Sequence, residues 1–293
     1  MLSFQKTRIA PTPSGFLHLG NAFSFILTAA LARQHGAAIL LRIDDLDQAR
    51  LKPEYLADIF ETLTFLEIPW DEGPKTVEDI RKTYSQHRRL TMYQEHLSEL
   101  EVMGKLFSCS CSRKDLTLAG LISGCTGQCC IKKPFALKLK KSATDVAVKQ
   151  YASGTIHFPF PSTMSQFIVQ KKDGFPSYHL ASVVDDIHFG VDLVVRGADL
   201  WDSSLAQLHL STLTPSLHPY TKATFFHHPL LTDAGTKLSK SAGHTSIQYL
   251  RTQGIHREAI YQQAATFFGI KEKVNNLRDF TLELQPTQII DAE

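Results

Sequence analysis

Five cysteines fall between Cys109 and Cys130, and the rest of the 293-residue chain has none. Cys109-Ser110-Cys111 and Cys125-Thr126-Gly127-Gln128-Cys129 supply two pairs of thiols, and four thiolates complete the tetrahedral shell of a structural Zn²⁺. Cys130 is the alternative fourth ligand, since adjacent residues point in different directions. A secreted disulfide framework spreads its bridges over a small domain, so this clustering favours a reduced metal site. Five reduced thiols in a loop is the plainer alternative. Two other clusters suit phosphate. In His18-Leu19-Gly20-Asn21 the glycine admits a ligand close to the backbone, and the imidazole and amide donate hydrogen bonds. In Lys237-Leu238-Ser239-Lys240-Ser241, two lysines three apart neutralise charge on a leaving pyrophosphate. Alone, the first reads equally as a helix cap and the second as a solvated basic loop. Together they are far more specific.

Regular elements must carry these clusters. Residues 6–10 read as a strand, and a Pro- and Gly-rich turn follows at 11–15. Residues 19–34 then form a helix stopped near Gly36, and 38–43 are a continuous apolar strand of the kind buried under helices on both faces. This is a βαβ unit, and it places His18 where a helix begins, the anion-attracting position of a parallel sheet. Helices are expected at 53–66 and 84–103, with Trp70-Asp71-Glu72-Gly73-Pro74 as a loop between them. The α/β pattern resumes with apolar runs at 181–184 and 192–196, a helical stretch at 203–213 and a helical tail over 246–268. The expected organisation is α/β: a Rossmann-type parallel-sheet catalytic domain over 1–107 and 175–245, the latter carrying the Lys237 loop. Residues 108–174 form an inserted α+β subdomain that carries the cysteines, and 246–293 a short C-terminal helical segment.

Composition adds exclusions. With 43% hydrophobic and 20% charged residues the chain is not a disordered one. Lys and Arg (31) nearly cancel Asp and Glu (29), so the charge of +2 neither demands nor excludes an anionic partner. The N-terminus has no signal-peptide core, and the richest apolar stretch, 23–32, is far below bilayer length. A soluble, cytoplasmic protein with no membrane association is expected.

Taken in order, the motifs resemble those of the class I aminoacyl-tRNA synthetases, and most closely the glutamyl group. Arg8-Ile9-Ala10-Pro11-Thr12-Pro13-Ser14-Gly15-Phe16-Leu17-His18-Leu19-Gly20-Asn21 resembles the family's first motif. Arg42-Ile43-Asp44-Asp45-Leu46-Asp47, Trp70 to Pro74, the stretch from Asp173 to Asp186, Arg196-Gly197-Ala198-Asp199 and the Lys237 segment continue the match over roughly residues 5–245. The resemblance implies adenylate chemistry, with His18, Asn21, Lys237 and Lys240 catalytic, ATP held by His18, Gly20, Asn21 and Lys240, and Mg²⁺ arriving with ATP. For L-glutamate it implies Arg8 and Arg196 on the carboxylates, the hydroxyl of Tyr178, the wall formed by Ala10, Pro11 and Thr12, and the Asp44 carboxylate on the amine. Asp44 stands where the family usually has Glu, and Ser182 where the full-length enzymes tend to have Asn. The match also favours Cys129 over Cys130 beside Cys109, Cys111 and Cys125. Asp185-Asp186 reads as a pair that supports the site from behind or closes a strand, rather than as a metal site.

Only 52 residues follow Ser241, too few for the anticodon-reading helical domains of complete glutamyl-tRNA synthetases. The chain therefore most resembles the glutamyl-queuosine tRNA(Asp) synthetases. That implies transfer of activated glutamate to the queuosine base in the anticodon stem-loop of tRNA(Asp). The lysines of the insertion, Lys132, Lys133, Lys138, Lys140, Lys141 and Lys149, are candidates for following an RNA backbone. The alternatives are a minimal glutamyl-tRNA synthetase charging a tRNA 3′ end, and a catalytically silent zinc-containing RNA-binding paralogue.

Overall fold

A computed structural model describes residues 3–111, 125, 134–140, 144–233, 236–237 and 246–289. In chain order the elements are β1 (Lys6–Ile9), α1 (Leu19–His35), β2 (Ala38–Leu41), α2 (Pro53–Phe65), α3 (Leu90–Val102), β3 (Leu106–Cys109), β4 (Ala136–Leu139), β5 (Asp145–Gln150), β6 (Gly154–Pro159), β7 (Ile168–Gln170), α4 (Tyr178–His188), β8 (Leu193–Gly197), α5 (Trp201–Ser211) and β9 (Thr224–His228). The short pair β10 (Thr232–Asp233) and β11 (Thr236–Lys237) follows, then α6 (Ile247–Thr252), α7 (Arg257–Phe267) and α8 (Leu277–Glu283). No helix among the described residues is long and apolar enough to cross a membrane.

The chain divides into two compact units. The first comprises residues 1–88, 191–199 and 225–293, the second 89–190 and 200–224. In the first unit the strands run in the order β2-β1-β8-β9. Both neighbours of β1 are parallel to it, with Thr7 opposite Ile39 on one side and Leu193 on the other. The Asp192 carboxylate fixes that second register by accepting the backbone N–H groups of Gln5 and Lys6 at 2.8 and 2.9 Å. Helix α1 packs on β1, β2 and β8 and against α7 and α8. Its Phe23, Ile26, Leu27 and Leu31 are almost wholly buried. Each contributes roughly 1.5–3 kcal/mol relative to exposure. The Trp70–Pro74 loop lies along β2, Leu41 N–H donating to the Glu72 carbonyl at 2.9 Å. Only glycine fits next: Gly73 has φ +97°, and a Cβ there would stand 2.0 Å from the Leu41 oxygen.

The second unit contains the antiparallel sheet β3-β4-β7, the hairpin β5–β6, and the packed helices α3, α4 and α5. A buried ion pair holds α4 to α3: Arg89 donates to both Asp185 oxygens at 2.7 and 3.1 Å, and Tyr93 OH to Oδ1 at 2.7 Å. Asp185 is fully buried in the interior of a helix, which corrects its reading as a strand-end residue. Burial, and then the Asp185 carboxylate, push the Tyr93 phenol well above its ordinary range, so it donates at every physiological pH.

Three element boundaries differ from expectation. The helix expected over 84–103 starts only at Leu90. Before it, a π turn spans Ile80–Tyr84, and Ser85 Oγ and Gln86 N–H turn away to the Asp45 carboxylate at 2.6 and 2.8 Å. The apolar run 181–184 is helical, capped by the Ser177 hydroxyl accepting from Leu180 N–H. The tail 246–268 is two helices, separated at Gly254.

Candidate active site

Four strand ends and one helix start assemble the candidate residues of the first unit. In a parallel sheet the strands' carboxyl ends face ligands, and chemistry gathers there. Beyond β1 and β2 the backbone pairing continues, Arg42 N–H donating to the Ile9 carbonyl at 2.9 Å and Asp44 N–H to the Pro11 carbonyl at 3.1 Å. Ala10, Pro11 and Thr12 thus run beside Asp44 as a backbone wall. Asp44 is buried and accepts the Arg42 guanidinium as a fork, Nε at 2.7 Å and Nη2 at 3.2 Å. A fork of this kind holds the carboxylate in one orientation. Arg42 lies in a motif already noted, but its role as the partner of Asp44 was not legible from it.

Arg8 and Arg196 are both buried, on adjacent strands. Arg8 Nη1 donates to the Val195 carbonyl at 3.1 Å, which brings it alongside Arg196. The Arg196 guanidinium lies over the Phe225 ring at 5.3 Å, and Phe225 stacks on His227 with the planes 4° apart. The pattern is that of strand faces: Phe225 and His227 are two residues apart in β9 and share one side. His227 is 1% exposed. Burial, then the charges of Arg196, His228 and Arg8, pull its pKa down to about 3. A neutral imidazole therefore sits beside two buried guanidiniums, an electropositive strand edge suited to a ligand with carboxylates. His227 was not singled out in the sequence. The His227-His228-Pro229 run, closing a strand before the lysine-rich segment, was the available signal.

At the start of α1, His18 and Asn21 cap the helix reciprocally. His18 Nδ1 accepts from Asn21 N–H at 3.3 Å, and Asn21 Oδ1 accepts from His18 N–H at 3.1 Å. Capping and phosphate handling are thus compatible readings. A neutral ring accepting at Nδ1 carries its proton on Nε2, and Asn21, with Oδ1 engaged, offers its NH₂ group; both are donors at a helix N-terminus. Gly20 lies flat against the imidazole, since a Cβ there would stand 3.1 Å from both Cε1 and Nδ1 of His18. Lys237 ends the β10–β11 pair, opposite Thr232. Lys240 lies outside the described residues. Downstream of it, Ser246 bridges to His18, and Ile247 N–H donates to the Leu17 carbonyl at 2.7 Å.

The other two candidate pocket residues belong to the second unit: half-exposed Tyr178 at the start of α4 and buried Ser182 one turn later. That unit also holds Cys109 at the end of β3, Cys111 and Cys125, whose sulfurs all lie within 4.8 Å of one another. Cys111 and Cys125 Sγ are 3.9 Å apart. Tetrahedral sulfurs each about 2.3 Å from zinc lie about 3.8 Å apart, so this set fits a metal ion. The Cys125 carbonyl accepts from Gln166 at 3.0 Å and the Ser110 carbonyl from Lys172 at 2.6 Å, bonds that hold the ligand-bearing loops. Cys129 and Cys130 lie outside the described residues, as do Lys132, Lys133 and Lys141.

Parallel neighbours on both sides of β1 and a capped His-x-Gly-Asn turn after it fit the catalytic core of a class I aminoacyl-tRNA synthetase. The sequence profile of "tRNA synthetases class I (E and Q), catalytic domain" matches residues 5–119 and 128–291, and the chain belongs to that family. It is thus a ligase. Two of its relatives are named glutamyl-Q tRNA(Asp) synthetase. That of Nitratidesulfovibrio vulgaris is 37% identical over 90% of this chain and 86% of its own length. That of Symbiobacterium thermophilum is 33% identical over 92% and 88%. The same fold occurs in a glutamate tRNA ligase from Elizabethkingia meningosepticum, solved in complex with its amino acid, at TM-score 0.76 and 19% identity. The alignment covers 99% of this chain and 66% of that one, so this chain spans about two thirds of its length.

Proposed function

We propose that the chain activates L-glutamate with ATP and transfers it to the queuosine base in the anticodon stem-loop of tRNA(Asp). The observation that carries the first half is the pair of buried guanidiniums, Arg8 and Arg196, at the strand edge that also bears Asp44. Forked cations bind carboxylates and an oriented carboxylate binds an ammonium group, the complement of an acidic amino acid. Ala10, Pro11 and Thr12 line the pocket beside Asp44 in this reading. An oxygen of the glutamate α-carboxylate attacks the α-phosphorus of ATP, the bond to the bridging oxygen breaks, and pyrophosphate leaves with those electrons. His18, Asn21 and the Gly20 backbone hold the phosphates, and Lys237 and Lys240 neutralise the leaving group; positioning and charge stabilisation supply the rate. Mg²⁺ arriving with ATP would offset phosphate charge.

In the second half, a hydroxyl of the queuosine cyclopentene-diol attacks the glutamyl carbonyl and AMP departs. The names of the two relatives that the chain covers most of support this acceptor. Cys109, Cys111, Cys125 and Cys129 would hold a structural Zn²⁺ that fixes the inserted subdomain; its exposed Lys140 and Lys149 are candidates for following an RNA backbone, whereas Lys138, buried in β4, is not. The test supplies labelled glutamate, ATP and tRNA(Asp) with and without queuosine, then cuts the product. Label confined to the queuosine-bearing anticodon fragment is expected. Label at the 3′ end of tRNA(Glu) would overturn the acceptor, and absence of glutamate-dependent pyrophosphate exchange would overturn the activation.

A further inference from the structure

The phosphate-binding turn is held from an unexpected direction. Asp58, on α2 and 2% exposed, accepts the backbone N–H of Leu17 at 3.0 Å, immediately before His18. Its other oxygen accepts from Arg251 Nη2 at 2.9 Å, on α6, and from the Thr62 hydroxyl at 3.4 Å. Arg251 Nη2 also reaches Glu61 at 3.0 Å. The Leu17 carbonyl, in turn, accepts from Ile247 N–H, the first residue of α6. These contacts close a ring: Asp58 to Leu17, Leu17 to Ile247, α6 to Arg251, and Arg251 back to Asp58. The N–H and the carbonyl of Leu17 are thereby both fixed by elements that Arg251 ties together. The next residue is the His18 that caps α1 and bridges Ser246.

We propose that Asp58 is a positioning residue for His18, setting the height and direction of the imidazole at the phosphate site through Leu17 and Arg251. It touches no substrate. Its carboxylate engages both the chain entering the His18 turn and the helix that follows the Lys240 segment. Packing alone does not account for it: a buried carboxylate is costly and persists where its bonds are made. Burial does push this carboxyl up, and the Leu17 N–H and the Arg251 charge hold it back. The inference deepens the adenylate-forming reading above and rests on it for its kinetic consequence, though not for its geometry.

The test compares Asp58→Asn, which keeps an acceptor for Leu17 but loses the charge on Arg251, with Asp58→Ala and Arg251→Met. The first readout needs no substrate: ¹⁵N NMR of the His18 ring, assigned with His18→Gln. In all three variants its nitrogen shifts are expected to move. The second is single-turnover adenylate formation from glutamate and ATP. Displacing a reacting group by about an ångström costs up to roughly a hundredfold, so the rate constant is expected to fall roughly ten- to a hundredfold in Asp58→Ala and less in Asp58→Asn. The burst amplitude per chain and the glutamate concentration for half-maximal rate stay at wild-type values, because Arg8, Arg196 and Asp44 lie outside the ring. A merely structural role lowers the amplitude and leaves the rate constant, and that result would overturn the proposal. Unmoved His18 signals would overturn it whatever the chain activates. A wild-type chain with no burst would instead count against the glutamate reading, leaving the NMR arm to decide on Asp58.

Discussion

His227 gives the structure a measurable acid sensitivity. The folded protein holds this imidazole neutral down to about pH 3, whereas in the unfolded chain it takes a proton near its ordinary 6.5. Between those values the unfolded state binds more protons, so stability is full above about pH 6.5 and is lost as pH falls. From pH 7 to pH 5 the group goes from about a quarter to nearly fully protonated in the unfolded chain and stays neutral in the folded one. At about 1.4 kcal/mol per pH unit below 6.5, the loss is about 2 kcal/mol. Urea unfolding of wild type and His227→Gln at both pH values isolates the term. The glutamine variant, whatever its starting stability, is expected to lose about 2 kcal/mol less over the same interval. Equal pH dependence in the two proteins would refute the claim that His227 is buried and neutral between the arginines.

Other sites yield further expectations. Gly20→Ala improves helix propensity by up to about 1 kcal/mol but presses on the His18 ring, so Tm holds or rises while glutamate-dependent pyrophosphate exchange drops; full exchange would show that the contact carries no function. Lys240→Ala is expected to slow that exchange by one to several orders of magnitude at nearly unchanged stability, as for loss of a transition-state donor, and unchanged exchange removes the lysine from the mechanism. Asp185→Ala strands the buried Arg89 charge and is expected to cost about 3–5 kcal/mol in urea unfolding, with much of it regained when Arg89→Met is added. Freshly reduced protein is expected to bind about one zinc per chain, and Cys111→Ser to bind substantially less by metal analysis.

Local signals made parts of this protein legible. The helix after His18 and its stop at Gly36 follow from composition and one glycine, and the unbroken apolar run 38–43 announced a buried strand whose core is Ala38–Leu41. The Tyr178–His188 helix was obscured because Ala181-Ser182-Val183-Val184 reads as a short apolar run, although Leu180, Ala181, Val183 and Val184 also fit helical spacing. The late start of α3 could not be read locally, since Ser85 and Gln86 are drawn off by Asp45, forty residues back. Leu277–Glu283, begun by Asn276 accepting from Asp279 N–H, lies in a tail with too little periodicity to call. In the site, the residue types of the motifs were visible. Their partners were not: Asp58 meets Arg251 across 193 positions and Arg89 meets Asp185 across 96, and no window along the chain contains both members.

The parallel pairing of β1 also has a temporal meaning. This strand precedes the other described elements in chain order, yet one of its neighbours begins at Leu193 and the carboxylate gripping its leading edge is Asp192. The whole second unit except residues 200–224 is translated in the interval. Until synthesis has passed β8, β1 and the turn that presents His18 have a complete partner on one flank only. Such long-range closure makes folding slow and leaves strand edges exposed meanwhile. Nascent chains stalled before Asp192 would then expose the N-terminal βαβ segment to chaperones and proteases, and chains released just beyond β8 would shelter it.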